Sequence, residues 1–168
     1  KKLAIHVITD GRDTPAQSAS KYLSKIKSCI SKYKLGRISS ICGRYWIMDR
    51  NQLWERTEKA FLNLTDPSIK CESINPEEFL ERSYENKITD EFLEPIRLTD
   101  DYLKDGDSLI CFNFRPDRAR QIVKSLSEKN FSEFQRENTP KVDILTFTQY
   151  EANLQVKVAF PPESLNNF

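Results

Sequence analysis

The sequence predicts an α/β domain, three-layered, with a mostly parallel sheet flanked by helices. Two observations carry that expectation: short apolar runs alternate with amphipathic helical stretches, and each run gives way to a loop rich in Gly, Pro, Asp and Asn. A third is length, since 168 residues suit one domain of ordinary size.

Leu3–Ile8 is a continuous apolar run that reads as a buried strand, and it ends in the loop Asp10-Gly11-Arg12-Asp13. Thr14, Pro15 and Gln17 then resemble a helix start, with Thr14 as cap, Pro15 in the first turn and Gln17 closing a capping box. The helix is expected to run to about Lys34, with Tyr22, Leu23, Ile26 and Ile30 inward and Leu35-Gly36 stopping it. Ile38–Cys42 reads as the second strand, entering the loop Gly43–Arg50. A helix follows from about Gln52 to Leu64, its face marked by Trp54, Ala60, Phe61 and Leu64.

The stretch from Asp66 to Lys104 is polar, with a short helical signal at Asn75-Pro76-Glu77-Glu78. Ser108–Phe112 is a third strand, Arg115-Pro116-Asp117-Arg118 opens a third helix, and Val142–Phe147 is a fourth strand. Residues 1–150 are assigned to the domain. Residues 151–168, with Pro161-Pro162 and Asn166-Asn167, read as a linker towards further sequence. There is no initiator Met, and the natural protein is expected to begin earlier.

Lys and Arg total 26 and Asp and Glu 25, interleaved along the chain. A nucleic-acid partner calls for a basic excess or stripe, so none is expected. No apolar run reaches the length of about 18 residues that a membrane-spanning helix needs, and no membrane partner is expected. Four scattered cysteines and a single histidine, His6, do not make a zinc pattern, so no metal is expected to bind to this segment. The cysteines suit a reducing, cytoplasmic compartment. His6 sits within a strand, where a hydrogen-bonded core histidine is the expected role.

The chemistry lies at the strand ends. In parallel α/β sheets, ligands bind beyond the carboxyl ends of the strands. There, three loops carry five arginines: Arg12, Arg44, Arg50, Arg115 and Arg118, with Asp10, Asp13, Asp49 and Asp117 among them. Guanidinium forks match carboxylate and phosphate, and nearby helix N-termini add oriented N–H groups. A small, multiply charged anion fits such a crevice. Structural ion pairs between neighbouring Arg and Asp remain the competing reading from spacing alone.

The stretches Asp10-Gly11-Arg12-Asp13-Thr14-Pro15, Gly43-Arg44-Tyr45-Trp46-Ile47-Met48-Asp49-Arg50 with Trp54, and Phe112–Gln121 resemble, in order and spacing, signature segments of the cofactor-independent phosphoglycerate mutases. Phe147-Thr148-Gln149-Tyr150 and Val158–Pro162 resemble that family too. The resemblance implies a fragment of an enzyme interconverting 3-phosphoglycerate and 2-phosphoglycerate. Arg12, Asp13, Arg44, Arg50, Arg115 and Arg118 would bind substrate, and no catalytic residue would lie in this segment. It also implies two divalent metal ions, typically manganese, and a phosphorylated serine, all held by a phosphatase-like domain outside this segment. The family's Ser-Asp-Gly-Gly-Val-His-Ser stretch has no counterpart here, so the start of the substrate-binding domain is expected to be missing. The alternative is a stand-alone module that binds anions or phosphometabolites without catalysis.

Overall fold

The computed structural model describes residues 2–162. Its elements are β1 (Ala4–Thr9), α1 (Ala19–Tyr33), β2 (Arg37–Gly43), α2 (Arg44–Ile47), α3 (Trp54–Thr65), α4 (Pro76–Glu85), a 3₁₀ turn (Asp90–Phe92), β3 (Ile96–Arg97), β4 (Ser108–Cys111), α5 (Pro116–Ser127), β5 (Asp143–Thr148) and β6 (Lys157–Phe160).

The α/β class and the largely parallel pairing are as expected. The strands, however, form two three-stranded sheets, ordered β1-β2-β3 and β4-β5-β6. In the first, β1 and β2 run parallel from Ala4 opposite Arg37 to Thr9 opposite Gly43, with a bulge between Ile5 and His6. Only β3 is antiparallel, pairing Ile96 and Arg97 with Ile41 and Ser40. The second sheet is wholly parallel. Residues of β1 and of β4 line a common cleft of about 1590 Å³, and no strand among the described residues occupies it.

Successive residues of β2 serve opposite faces, as a strand's period of two requires. Ile41 joins Leu23 of α1 and Phe79 and Leu80 of α4 on one side. Cys42 joins Phe61 of α3, Val123 and Leu126 of α5 and Ile144 of β5 on the other, so this second core ties the two sheets together.

Three expectations need correction. Residues 151–168 are expected as a linker, yet Lys157–Phe160 adds strand β6 beside β5; residues 163–168 lie outside the described residues. Helix α1 begins at Ala19, not beside Thr14, and its cap is remote. The buried Asp90 carboxylate accepts from Ser18 N at 2.7 Å and Ala19 N at 2.8 Å. Thr14 instead turns its Oγ1 to Gly11 N, closing the preceding loop. Tyr22, expected inward, is 44% exposed, since the apolar face of α1 narrows to Ala19 and Leu23 with Ile26 and Ile30 at its margin. Asn75, by contrast, caps α4 as its local sequence suggests, accepting from Glu78 N.

Candidate functional site

The three arginine loops meet at the carboxyl end of the parallel strands. Loop Asp10–Asp13 follows β1. Arg44 opens α2 directly after β2, and Arg50 lies between α2 and α3. Arg115 and Arg118 sit on the first turn of α5, after β4. Asp10, Asp13, Arg44, Met48, Arg115 and Arg118 line one end of the cleft between β1 and β4.

Arg44 is the inner cation, with only 9% of its side chain exposed. Its Nη1 donates to Asp10 Oδ1 at 2.5 Å and Asp13 Oδ2 at 2.7 Å. Burial pushes the Asp10 carboxyl up. The bonds from Arg44 and from the backbone N–H groups of Asp13 and Arg12 more than offset that, leaving it below the usual carboxylate range. Arg44 Nε is buried and has no acceptor among the described residues.

The outer arginines are paired more loosely. Arg12 reaches Glu91 at 3.3 Å and is 60% exposed. Arg50 donates to Asp117 at 2.8 Å, and Arg115 lies 3.6 Å from the same carboxylate. Arg50 therefore holds the Asp117 carboxyl below its ordinary value. Arg115 is the most exposed of the set and stands at the rim.

Arg118 differs from the other four. Among the described residues it has no carboxylate partner, and its Nη1 donates to the backbone oxygen of Met48 at 3.3 Å. Burial, then the nearby charges of Arg44, Arg50 and Arg12, hold its guanidinium below its ordinary value, with the Asp117 carboxylate opposing them only in part. A partly buried cation among three like charges is unfavourable until an anion joins it. Arg115, at the N-cap of α5, makes no side-chain cap bond, so the N–H groups of that first turn add to the same positive end.

The structure thus gathers Arg12, Asp13, Arg44, Arg50 and Arg118, with Arg115 joined to them through Asp117. Asp117 pairs with Arg50, and Arg120, further along α5, donates to the Tyr150 backbone oxygen at 3.0 Å. Asp49, which its position groups with the acids that compensate the arginines, faces inward into a buried network. Sequence reasoning missed Glu91 and Asp90, which lie in the polar middle stretch. Thr9 Oγ1 donates to Asp90 O at 2.7 Å, and Gly43 N to Leu93 O at 2.8 Å. The segment Asp90–Leu93 thereby presses against two arginine loops. A Cβ at Gly11 would stand 2.7 Å from Asp90 Cβ, with φ at +67°, and a Cβ at Gly43 would collide with the backbone of Glu91 and Leu93. No local signal marks that contact, except that both loops carry glycine.

Other candidates resolve structurally. His6 Nδ1 lies 2.8 Å from Ser40 Oγ, and burial lowers its pKa, so it is a hydrogen-bonded, neutral histidine. Tyr45 packs on Trp46 and Phe92, with Arg56 stacked 3.8 Å above its ring. All four cysteines are free thiols; Cys42 is buried, and burial pushes Cys111 up to about 11.

Residues 1–152 match the family described as BPG-independent PGAM N-terminus. The 2,3-bisphosphoglycerate-independent phosphoglycerate mutase of Prochlorococcus marinus subsp. pastoris (strain CCMP1986 / NIES-2087 / MED4) is 71% identical over 168 residues, which is 100% of this chain and 31% of that protein. The protein of the same description from Prochlorococcus marinus (strain MIT 9313) is 55% identical over 166 residues, 99% of this chain and 31% of its own length. Among solved structures, phosphoglycerate mutase of Leishmania mexicana, crystallised at low cobalt concentration, superposes with a TM-score of 0.87 at 25% identity, covering 96% of this chain and 32% of that one. The chain spans about a third of the length of the relatives it matches.

Proposed function

The chain belongs to the family of BPG-independent phosphoglycerate mutase N-termini, and from that premise we propose that it is the substrate-gripping part of an enzyme interconverting 3-phosphoglycerate and 2-phosphoglycerate. The observation that carries the reading is Arg118, a guanidinium without a carboxylate partner among the described residues, held beside Arg12, Arg44 and Arg50. Its counter-charge is the ligand. Phosphate and carboxylate on one small glycerate supply two anionic groups, and the site offers forked donors to both.

Arg115 and Arg118 hold the phosphate and the carboxylate at the α5 N-terminus. Arg12 and Asp13 hold the glycerate body. Arg44 orders the loop through Asp10 and Asp13. A mutase that moves a phosphoryl group off and back on must keep the glycerate bound and let it turn between transfers, since loss of the intermediate gives net hydrolysis. Several fixed contacts to one ligand meet that need. The carboxylates already on Arg12 and Arg50 keep the empty site from repelling itself open and exchange for ligand oxygens, while Asp10 and Asp13 stay on Arg44.

The phosphoryl chemistry, two divalent metal ions of which manganese is the expected identity, and the phosphorylated serine belong to a phosphatase-like partner domain in the remaining length. Among the described residues no three His, Cys, Asp or Glu side chains gather as a metal site. The four free thiols support work in a reducing, cytoplasmic compartment.

The test is to express the full-length protein without added 2,3-bisphosphoglycerate and follow ³¹P resonances of 3-phosphoglycerate. Appearance of the 2-phosphoglycerate signal is expected. A protein that neither binds 3-phosphoglycerate nor converts it overturns the reading.

A further inference from the structure

The loop that carries Arg50 is fixed from below by a buried polar network that no local motif requires. Asp49 is 4% exposed, Gln121 6% and Thr57 fully buried. Asp49 Oδ2 accepts from Asn51 N at 2.9 Å, Leu53 N at 3.0 Å and Gln121 Nε2 at 3.1 Å. Gln121 uses both ends of its amide. Its Oε1 accepts from Gln52 N at 3.0 Å, and its Nε2 also donates to Thr57 Oγ1 at 3.1 Å. Three consecutive backbone N–H groups beyond Arg50 are thus satisfied by two side chains. One of those residues, Gln52, has φ +61°, a left-handed backbone that a non-glycine residue holds only when its surroundings dictate it.

The network also spans two arginine-bearing elements. Gln121 lies three residues after Arg118 on α5, hence on the same helix face. Arg118 in turn donates to Met48 O, immediately before Asp49. The Arg50 loop is therefore tied to α5 on both sides of Arg50.

We propose that Asp49 and Gln121 are positioning residues, holding the 48–53 loop on α5 so that Arg50 faces the same anion as Arg118. The inference rests on the substrate-gripping reading above. An amide at 121 is required because it must donate to a carboxylate and accept from a backbone N–H at once. Glutamate would set a second carboxylate against Asp49, and leucine or methionine would do neither job.

The experiment uses the full-length protein and titrates 3-phosphoglycerate into wild type, Gln121→Met, Arg50→Ala and the double variant, with circular dichroism as the check on folding. Gln121→Met is expected to bind about tenfold more weakly, the scale of one misplaced charge-assisted hydrogen bond. On the Arg50→Ala background the same substitution is expected to change affinity by less than about twofold, because Gln121 acts through Arg50. A purely structural role gives the same loss on both backgrounds, and that additivity overturns the proposal, as does a folded Gln121→Met that binds like wild type. If Gln121→Met does not fold, Thr57→Val, which removes only one anchor of the amide, takes its place in the cycle under the same criterion with a smaller loss of about threefold. Arg118→Ala is the separate arm: unchanged affinity there refutes the anion site itself, whereas a loss there with additive Gln121 effects refutes only the positioning.

Discussion

Replacing Arg118 with alanine separates ligand binding from stability, because the two should respond unequally. The empty protein loses one bond, from Nη1 to the Met48 oxygen at 3.3 Å, worth about 1 kcal/mol at most for a long, partly exposed contact. It also loses a cation that faces Arg44, Arg50 and Arg12. Each such repulsion amounts to a few tenths of a kcal/mol near the surface, further reduced by salt. The two effects oppose each other, so the melting temperature should move by less than about 3 °C for a domain of this size. Anion binding has no such compensation. A charge-assisted bond is worth roughly 1.5–3 kcal/mol, or about ten- to a hundredfold in affinity.

Calorimetric titration of 3-phosphoglycerate at low and high salt measures the binding side, and differential scanning calorimetry the other. Arg120→Ala is the control on the same helix. Its guanidinium is engaged by the Tyr150 oxygen and, at 3.7 Å, by Glu151, away from the cleft. It should leave affinity within about twofold, since it carries no ligand contact. Lysine at position 118 should restore only part of the loss, because a point charge cannot replace the fork. Equal, small losses in Arg118→Ala and Arg120→Ala would show that the arginines converge without binding anything.

Three further outcomes are expected. Asp90→Ala should destabilise the chain by about 3–5 kcal/mol in urea titration, since it strips acceptors from Ser18 N, Ala19 N and the Tyr84 hydroxyl at once, and Asp90→Asn should recover part of that. Asp101 is held well below the usual carboxylate range, first by its bond from Arg37, so its stabilisation is complete above about pH 4 and is lost as pH falls through its lowered pKa; in Asp101→Asn the acid limb of a stability–pH profile should flatten. The 168-residue chain alone should neither convert 3-phosphoglycerate nor retain stoichiometric divalent metal after dialysis, and one tightly held manganese per chain would refute this.

The elements that could be read from the sequence are those whose causes are local. Each apolar strand run and each amphipathic helix carries its own period, and Asn75 caps α4 from within its own turn. The arginine loops were legible for the same reason, because a strand's end is marked by where its apolar run stops. What stayed hidden has causes far along the chain. Thr14-Pro15-Ala16-Gln17 satisfies every local rule for a helix start, yet α1 begins at Ala19 because Asp90, 72 positions after Ser18, supplies the acceptor. Strand β3 has two residues and no periodicity to read, and it exists because β2 offers a free edge opposite Ile96 and Arg97. Arg97 turns from the sheet to donate to the backbone oxygens of Asn63 in the last turn of α3 and of Asp66 and Ile69 just beyond it, a role that its polarity in the sequence gives no reason to expect.

The same division runs through the site. Charge clustering announces arginines, but it cannot say which carboxylate compensates which cation, and that pairing decides the chemistry. Asp10 and Asp13 converge on the buried Arg44, Asp117 serves the exposed Arg50 and Arg115, and Glu91 arrives on Arg12 from a segment with no motif. Asp49, alike in sequence context, is withdrawn into the network under the Arg50 loop. After these acids are assigned, one guanidinium is left over, and it is the one placed at the N-terminus of α5 with three cations around it. An anion site is identified less by how many arginines it collects than by which of them the protein leaves without a carboxylate bonded to it.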